Sequence, residues 1–225
     1  VDKCLFSRID GDVVSHIAVY VDDLLIVSNS LDESNRLTDA LRQRFTDITV
    51  QDGSDISFVG MEIKTETNGD IKIRQRGYIT DVIKHFGIAP SQFENYPSKN
   101  KFIDAPSADE KDVDVSLYKS GIMKLMYLST RTRPDIAFVV SALASRSERP
   151  KESDWDKMLH IVRYLNNTAD EYLTYKHGAD IVISAFVDAS FMTHKDARSH
   201  TGYCIFADAA GSAAVVYRSV KQKTV

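Results

Sequence analysis

Two adjacent aspartates, Asp22 and Asp23, interrupt the apolar stretch HIAVYVDDLLIVSN at residues 16–29. Two carboxylates side by side repel each other unless a cation neutralises them, and such hard oxygen ligands select Mg²⁺, with Mn²⁺ as the alternative. Two such ions about 3.5–4 Å apart can hold the attacking and leaving oxygens of a phosphoryl transfer. The pair therefore predicts a metal-dependent catalytic site. The other interpretation is that Asp-Asp only makes a good turn.

The residues around the pair predict how it is positioned. β-branched and aliphatic runs on both sides indicate a strand, a turn and a strand, with the aspartates at a polar tip. A second hairpin is predicted over residues 58–75, with Asn68-Gly69 as a type I′ turn.

Apolar residues at helical spacing predict five helices. The first is a surface helix that begins at Ser30 or Asp32 and buries Leu37, Leu41 and Phe45. The other four cover residues 77–88, 116–129, 133–147 and 153–167. Three further strands are predicted after Tyr175, over residues 180–190, 200–208 and 213–220.

Composition narrows the class of protein. The 225 residues are 43% hydrophobic, with 28 basic and 32 acidic side chains, which describes a globular protein without a whole-chain signature of nucleic-acid binding. Cys4 and Cys204 are too few for a disulfide framework or a zinc site, so an intracellular setting is the default. No apolar run approaches the roughly 20 residues that span a bilayer, so we expect no membrane partner.

Positive charge is concentrated locally. Residues 72–101 hold six basic side chains against two acidic ones, and the tail from Gly211 holds three basic ones and no acid. Phosphate contacts could come from either segment, although charge runs are usually solvated faces. The candidate nucleic-acid-binding residues are Lys72, Arg74, Arg76, Lys84, Arg218, Lys221 and Lys223. Arg131 and Arg133 are either phosphate contacts or partners of nearby acids.

Motifs along nearly the whole chain carry a family resemblance. YVDD, Tyr20 to Asp23, resembles the polymerase motif of reverse transcriptases. The motifs that follow, in the order of the Ty1/copia-type retrotransposon Pol polyprotein, are FVGMEI, QRGYITDVIKHFGI, YLSTRTRPDIAFVVSALASR and DWDKMLHIVRYLNNT. FVDASF, RSHTGYCIF and YRSVKQKTV resemble the start of the attached ribonuclease H domain. The chain is thus similar to a fragment of such a polyprotein.

The resemblance implies roles for individual residues. Asp22 would bind the catalytic metals, Asp23 would coordinate less directly, and Tyr20 would lie near the primer terminus. Asp188 would be the first metal-binding, catalytic carboxylate of the ribonuclease H site, where the alternative is a simple strand-end aspartate.

A primer grip is also implied by the resemblance. It would comprise Phe58, Val59 and Gly60, which position the primer. For these three residues the alternative is a packed hairpin.

The resemblance implies an α+β fold in five segments. These are a palm part with the hairpins at 1–75, a thumb-like helix and basic segment at 76–103, an acidic linker at 104–115, a helical connection at 116–174, and three strands of a ribonuclease H-like domain at 175–225. It also implies RNA template, DNA primer, RNA–DNA hybrid, deoxynucleoside triphosphates and the remainder of the Pol polyprotein as partners. The implied location is a cytoplasmic virus-like particle, with nuclear association.

Activity of this chain alone is not expected. In the family a further polymerase carboxylate precedes YVDD, and the next ribonuclease H ligand follows KQKTV. Ser190 and Phe191 also depart from the family pattern after Asp188. The alternative function is a non-catalytic nucleic-acid-binding remnant of a degenerate element. A metal-dependent phosphohydrolase would need a nucleophile or extra ligands that the sequence does not indicate.

Overall fold

The computed structural model describes residues 2–99, 102–178, 181–192, 197–208 and 213–222. These residues form a mixed α+β fold with antiparallel strands and five α-helices. The chain divides into two compact units, residues 1–63 and 64–225. Among the described residues no helix is long and apolar enough to span a bilayer.

Unit 1 is built on a three-stranded antiparallel sheet. Its strands are β1 (Leu5–Asp10), β2 (Val13–Tyr20) and β3 (Asp23–Ser28), in the order β1-β2-β3. The predicted hairpin corresponds to β2 and β3, and sequence reasoning missed β1. Strands β4 (Asp55–Phe58) and β5 (Met61–Thr65) follow, and the boundary between the units falls inside β5.

Helix α1 (Leu31–Arg44) lies between β3 and β4 in the sequence. Ser30 is its N-cap, since its side chain accepts a hydrogen bond from the Glu33 backbone N–H at 3.3 Å. The predicted buried stripe is wrong: Leu37 and Leu41 are half-buried and Phe45 is 53% exposed. Phe45 follows the last helical residue with an extended backbone, so its side chain leaves the helical stripe.

Unit 2 begins with a short hairpin that a distant strand completes. Strand β6 (Ile71–Arg74) pairs with β7 (Leu173–Tyr175), which sequence reasoning missed. The predicted type I′ turn before β6 is wrong. The Glu66 N–H donates to the Asp70 carbonyl at 2.8 Å, which leaves a three-residue loop in which only Gly69 has a positive φ, of 85°. This is the longer hairpin class that places a left-handed glycine at its end.

The remaining four predicted helices are present in unit 2. They are α2 (Arg76–His85), α3 (Val115–Arg131), α4 (Ala137–Ala144, after a 3₁₀ turn at Pro134–Ile136) and α5 (Glu152–Asn167). Gly87 (φ 64°) ends α2, and the Ile88 N–H donates back to the Ile83 carbonyl at 3.1 Å, as in a glycine-terminated helix.

The helices of unit 2 enclose its hydrophobic core. Tyr118, Leu125, Leu143, Ile161 and Leu165 are completely buried there. The side of α5 that sequence spacing predicted to be apolar does face this core, with Val162 and Leu165 buried and Trp155 and Leu159 packed against it.

The three predicted C-terminal strands are confirmed. They are β8 (Ser184–Ser190), β9 (His200–Phe206) and β10 (Ala214–Lys221), antiparallel in the order β10-β9-β8. Strand β10 contacts α4, and the Phe138 ring meets the His200 ring edge-on, with the ring centroids 5.1 Å apart. Phe186 and Val187 on the edge strand β8 are 66% and 70% exposed.

Candidate catalytic turn and nucleic-acid interface

The paired aspartates lie at a two-residue turn. Tyr20 of β2 pairs directly with Asp23 of β3, so Val21 and Asp22 alone form the turn. Sequence reasoning placed both aspartates at the tip, but Asp23 is the first residue of β3. Asp22 and Asp23 are both exposed, and the hairpin's hydrogen bonds hold them on a regular support.

The turn is strained at Val21. Its φ is 56°, a left-handed conformation that β-branched residues rarely adopt. The side chain is 87% exposed, so packing does not compensate for the strain. Strained backbone of this kind costs about 1–3 kcal/mol and is concentrated at functional sites.

The carboxylates of Asp22 and Asp23 have no ion-pair partner within the described ranges. No group of three or more His, Cys, Asp or Glu side chains that could hold a metal occurs within those ranges either. The two carboxylates suit Mg²⁺, which takes one or two protein carboxylates and completes its coordination with water and substrate phosphates. The donor chemistry of the turn therefore fits the predicted metal.

Tyr20 belongs to the same turn. As the cross-strand partner of Asp23 it projects from the same face of the sheet, and its side chain is 51% exposed. An aromatic ring thus lies beside the carboxylates, available to a ligand.

Phe58, Val59 and Gly60 form a second strained turn in unit 1. Phe58 ends β4, and Val59 and Gly60 are the two loop residues, with φ values of 50° and 68°. Two positive φ values in a two-residue loop are typical of a type I′ turn, where asparagine rather than valine is usual. Phe58 and Val59 are half-buried, so the packed-hairpin and primer-grip interpretations remain compatible.

Asp188 lies in unit 2, on the edge strand β8. It is exposed and pairs across the sheet with Gly202. It lines a cavity of about 450 Å³ that Pro134 and Phe138 also line. The nearby Ser190 is the cross-strand neighbour of His200, whose Nε2 is 2.6 Å from the Ser219 hydroxyl.

The predicted basic segment is internally paired. Lys72 Nζ is 3.0 Å from Glu66, and Arg74 and Arg76 are 2.8 and 3.2 Å from the same oxygen of Asp170. These three candidates are therefore brought together on one side of unit 2, but each has an acidic neighbour.

The other predicted cations lie elsewhere. Lys84 is exposed in the last turn of α2, Arg218 is exposed on β10 and Lys221 is half-buried at the end of β10. Lys223 lies outside the described residues.

Arg133 is a structural residue. It is 3% exposed and donates to both carboxylate oxygens of Asp135, at 3.0 and 2.7 Å. The sequence left open whether Arg133 contacts phosphate or pairs with a nearby acid, and in the structure it pairs with an acid. Arg131 instead lies with its guanidinium carbon 6.0 Å from the Tyr127 ring centroid.

Comparison with known proteins finds similarity to reverse transcriptases and to proteins of transposons. A family model described as reverse transcriptase (RNA-dependent DNA polymerase) matches residues 1–100. The chain is 28% identical over 226 residues to the retrovirus-related Pol polyprotein from transposon RE2 of Arabidopsis thaliana, and 30% identical over 232 residues to that from transposon RE1. It is 28% identical over 200 residues to the transposon Ty5-1 protein of Saccharomyces cerevisiae.

The extent of the matches differs between these relatives. All of the chain aligns with the RE2 and RE1 polyproteins but covers only 15% of their length. For the Ty5-1 protein the alignment covers 88% of the chain and 64% of that relative. No solved structure matches the chain significantly.

Proposed function

Because the chain belongs to the reverse transcriptase family of Ty1/copia-type retrotransposon Pol polyproteins, we propose that it carries the YVDD turn of an RNA-directed DNA polymerase. The observation that carries this proposal is the turn itself: two exposed carboxylates, Asp22 and Asp23, on a hydrogen-bonded hairpin held in a strained conformation at Val21. The reaction is nucleotidyl transfer from a deoxynucleoside triphosphate to the 3′ end of a DNA primer on an RNA template.

Asp22 and Asp23 hold Mg²⁺, with Mn²⁺ as a substitute. Held by these two carboxylates, the metal would supply activation of the attacking hydroxyl and neutralisation of the phosphate charge. Asp22 is the main ligand because the turn presents it, and Asp23 supports it from the first position of β3. Asp23 lies on a strand, which holds a side chain more precisely than a loop does.

Tyr20 and the second turn position the primer in this proposal. The half-exposed Tyr20 ring lies on the Asp23 face of the sheet, next to the reacting end of the primer. Phe58 and the two-residue turn of Val59 and Gly60 that follows it contact the primer strand.

Strands β8 to β10 are proposed to be part of a ribonuclease H that acts on RNA–DNA hybrid. Their antiparallel order and the exposed Asp188 on β8 support this assignment, with Asp188 as a metal ligand. Ser190 and Phe191 follow Asp188 where the family has a second acid and a tryptophan, so the nuclease assignment has less support than the polymerase one.

The 225-residue chain alone is proposed to be inactive and to work with the rest of a Pol polyprotein, in a cytoplasmic virus-like particle with nuclear association. Two-metal transfer requires more carboxylates than a single Asp-Asp turn provides. In the part of the chain that the structure describes, Asp22 and Asp23 gather no third acidic ligand.

A non-catalytic nucleic-acid-binding remnant is the second candidate. The observation that favours it is the contact of Lys72 and Arg74 of β6 with the ring of Tyr172, the residue before β7. Binding of RNA–DNA hybrid without any Asp22-dependent activity would support this candidate over the first.

Metal binding and primer extension test the proposal separately. Mn²⁺ should broaden the NMR signals of the turn in the isolated chain, the D22N variant should lose this broadening, and D47N, an exposed acid of the same unit, should retain it. With an RNA template and Mg²⁺, a full Pol polyprotein containing this chain should extend a DNA primer, and D22N should reduce extension to background. Robust extension by the D22N polyprotein would overturn the proposal, and extension by the 225-residue chain alone would overturn its inactivity.

A further inference from the structure

A charged face of unit 2 combines residues that are far apart in the sequence. Alternate residues of a strand point to one side of a sheet. Ion pairs place Lys64 and Lys72 on the same side, because both reach Glu66 Oε1, at 3.3 and 3.0 Å. The face, here called the β6–β7 face, comprises Lys64, Glu66, Asp70, Lys72, Arg74, Arg76, Asp170, Tyr172 and Lys176.

The cations of this face outnumber the acids. Asp170 Oδ1 is shared by Arg74 and Arg76, at 2.8 and 3.2 Å, as Glu66 is shared by two lysines. Asp70 forms an ion pair with Lys176, at 3.0 Å. In these ion pairs five cations share three carboxylates, so basic side chains outnumber acidic ones among the paired residues.

Tyr172 holds two of the cations in place. The Arg74 guanidinium carbon is 4.5 Å from the ring centroid and Lys72 Nζ is 5.7 Å from it. Cation–π contacts and the shared carboxylates restrict these side chains before any ligand arrives, which lowers the entropic cost of binding. Lys72 keeps 34% of its side-chain surface exposed and Arg76 keeps 55%, so both remain accessible.

We propose that the β6–β7 face binds the sugar-phosphate backbone of nucleic acid, with Lys64, Tyr172 and Lys176 as members that lie outside the basic segment of the sequence. The inference rests on the proposed function, which supplies nucleic acid as the ligand. Regularly placed cations without a pocket for bases contact phosphates and carry no sequence preference. Asp170 limits the affinity, because phosphate must compete with its carboxylate for Arg74 and Arg76.

Removal of a positive charge and removal of a negative charge from this face should change the affinity in opposite directions, which tests the proposal. Binding of a fluorescent RNA–DNA hybrid to the 225-residue chain would be measured from about 50 to about 300 mM KCl. K72Q and R76Q should each weaken binding several-fold and lower the salt slope by about 1. D170N should tighten binding several-fold, an effect that damage to the fold would not produce. K119Q and D156N make the same charge changes on exposed helical positions outside the face and should leave binding nearly unchanged.

Three results would overturn the proposal, and they have different meanings. If the wild type binds hybrid but the face variants behave like K119Q and D156N, another surface binds the nucleic acid and the polymerase proposal stands. If the wild type does not bind hybrid at low salt, the face and the nucleic-acid role both fail. If poly-glutamate competes as well as nucleic acid of equal charge, the face is a site for acidic polypeptides.

Discussion

The Arg133 guanidinium joins Asp135 to the end of helix α5. Its Nε and Nη2 donate to the two Asp135 oxygens at 3.0 and 2.7 Å, while Nη1 and Nη2 donate to the carbonyl and hydroxyl of Thr168 at 3.0 and 2.6 Å. The Tyr164 hydroxyl adds a 2.7 Å bond to Asp135. Burial lowers the pKa of Arg133, but the Asp135 carboxylate outweighs burial and raises it above its ordinary value. One residue of the TRPD motif therefore fixes the turn before α4 against α5.

Removal of Arg133 should destabilise unit 2. Loss of one partner from a buried ion pair leaves the other unpaired, so we expect R133A to lower the free energy of unfolding by about 3 kcal/mol. Trp155, the single tryptophan, packs against the unit 2 core and reports its unfolding by fluorescence in urea. R131A, which removes an exposed arginine nearby, is the control and should change stability by less than about 1 kcal/mol. Equal stability of R133A and R131A would contradict the assignment.

Relief of strain at Val21 should stabilise the YVDD hairpin. Asparagine tolerates the left-handed region better than valine, so V21N should raise the local stability by about 1 kcal/mol. Hydrogen exchange of β2 and β3 amides should then slow several-fold. V27N, on β3 of the same sheet, places asparagine in extended backbone and should speed exchange. Faster exchange in V21N would show that the valine conformation is not strained.

The ionised Asp70 carboxylate should stabilise unit 2, so the free energy of unfolding should fall at low pH. The His177 backbone N–H and the Lys176 side chain lower the pKa of the Asp70 carboxyl. A lowered folded-state pKa stabilises the fold above the unfolded value of about 3.9, and this contribution is lost as pH falls through the folded pKa. Wild-type stability, followed by Trp155 fluorescence, should therefore fall more steeply below about pH 4 than that of D70N. D109N, at an exposed acid, should keep the wild-type slope. Parallel wild-type and D70N profiles would exclude this role.

The helices and the hairpin around Asp22 were predictable because their signals are local. Apolar residues at helical spacing identified α2 to α5, and the Asp-Asp pair between apolar runs identified β2 and β3. The prediction that Phe45 is buried was wrong because the apolar periodicity continues one residue past the end of α1. The extended backbone at Phe45 turns its side chain away from the apolar side of the helix.

Partners that come from distant residues were not predictable. Strand β7 has three residues, too few for an alternating pattern, and it pairs with β6. Arg74 and Asp170 are separated by 96 positions in the sequence, so the basic segment could not be recognised as internally paired. For Arg133 a local signal existed, since Asp135 follows two residues later at the distance of a short-range ion pair.

The pairing of β6 with β7 also determines when unit 2 can complete its fold. The Asp70 and Lys176 side chains that join across it are 106 residues apart. Closing a loop of that length carries an entropic cost before any contact compensates for it, and distant pairings slow folding. During synthesis the β6 hairpin therefore emerges without its partner, and its edge stays open until β7 has left the ribosome. A nascent chain interrupted before residue 173 would leave that edge available to other strands.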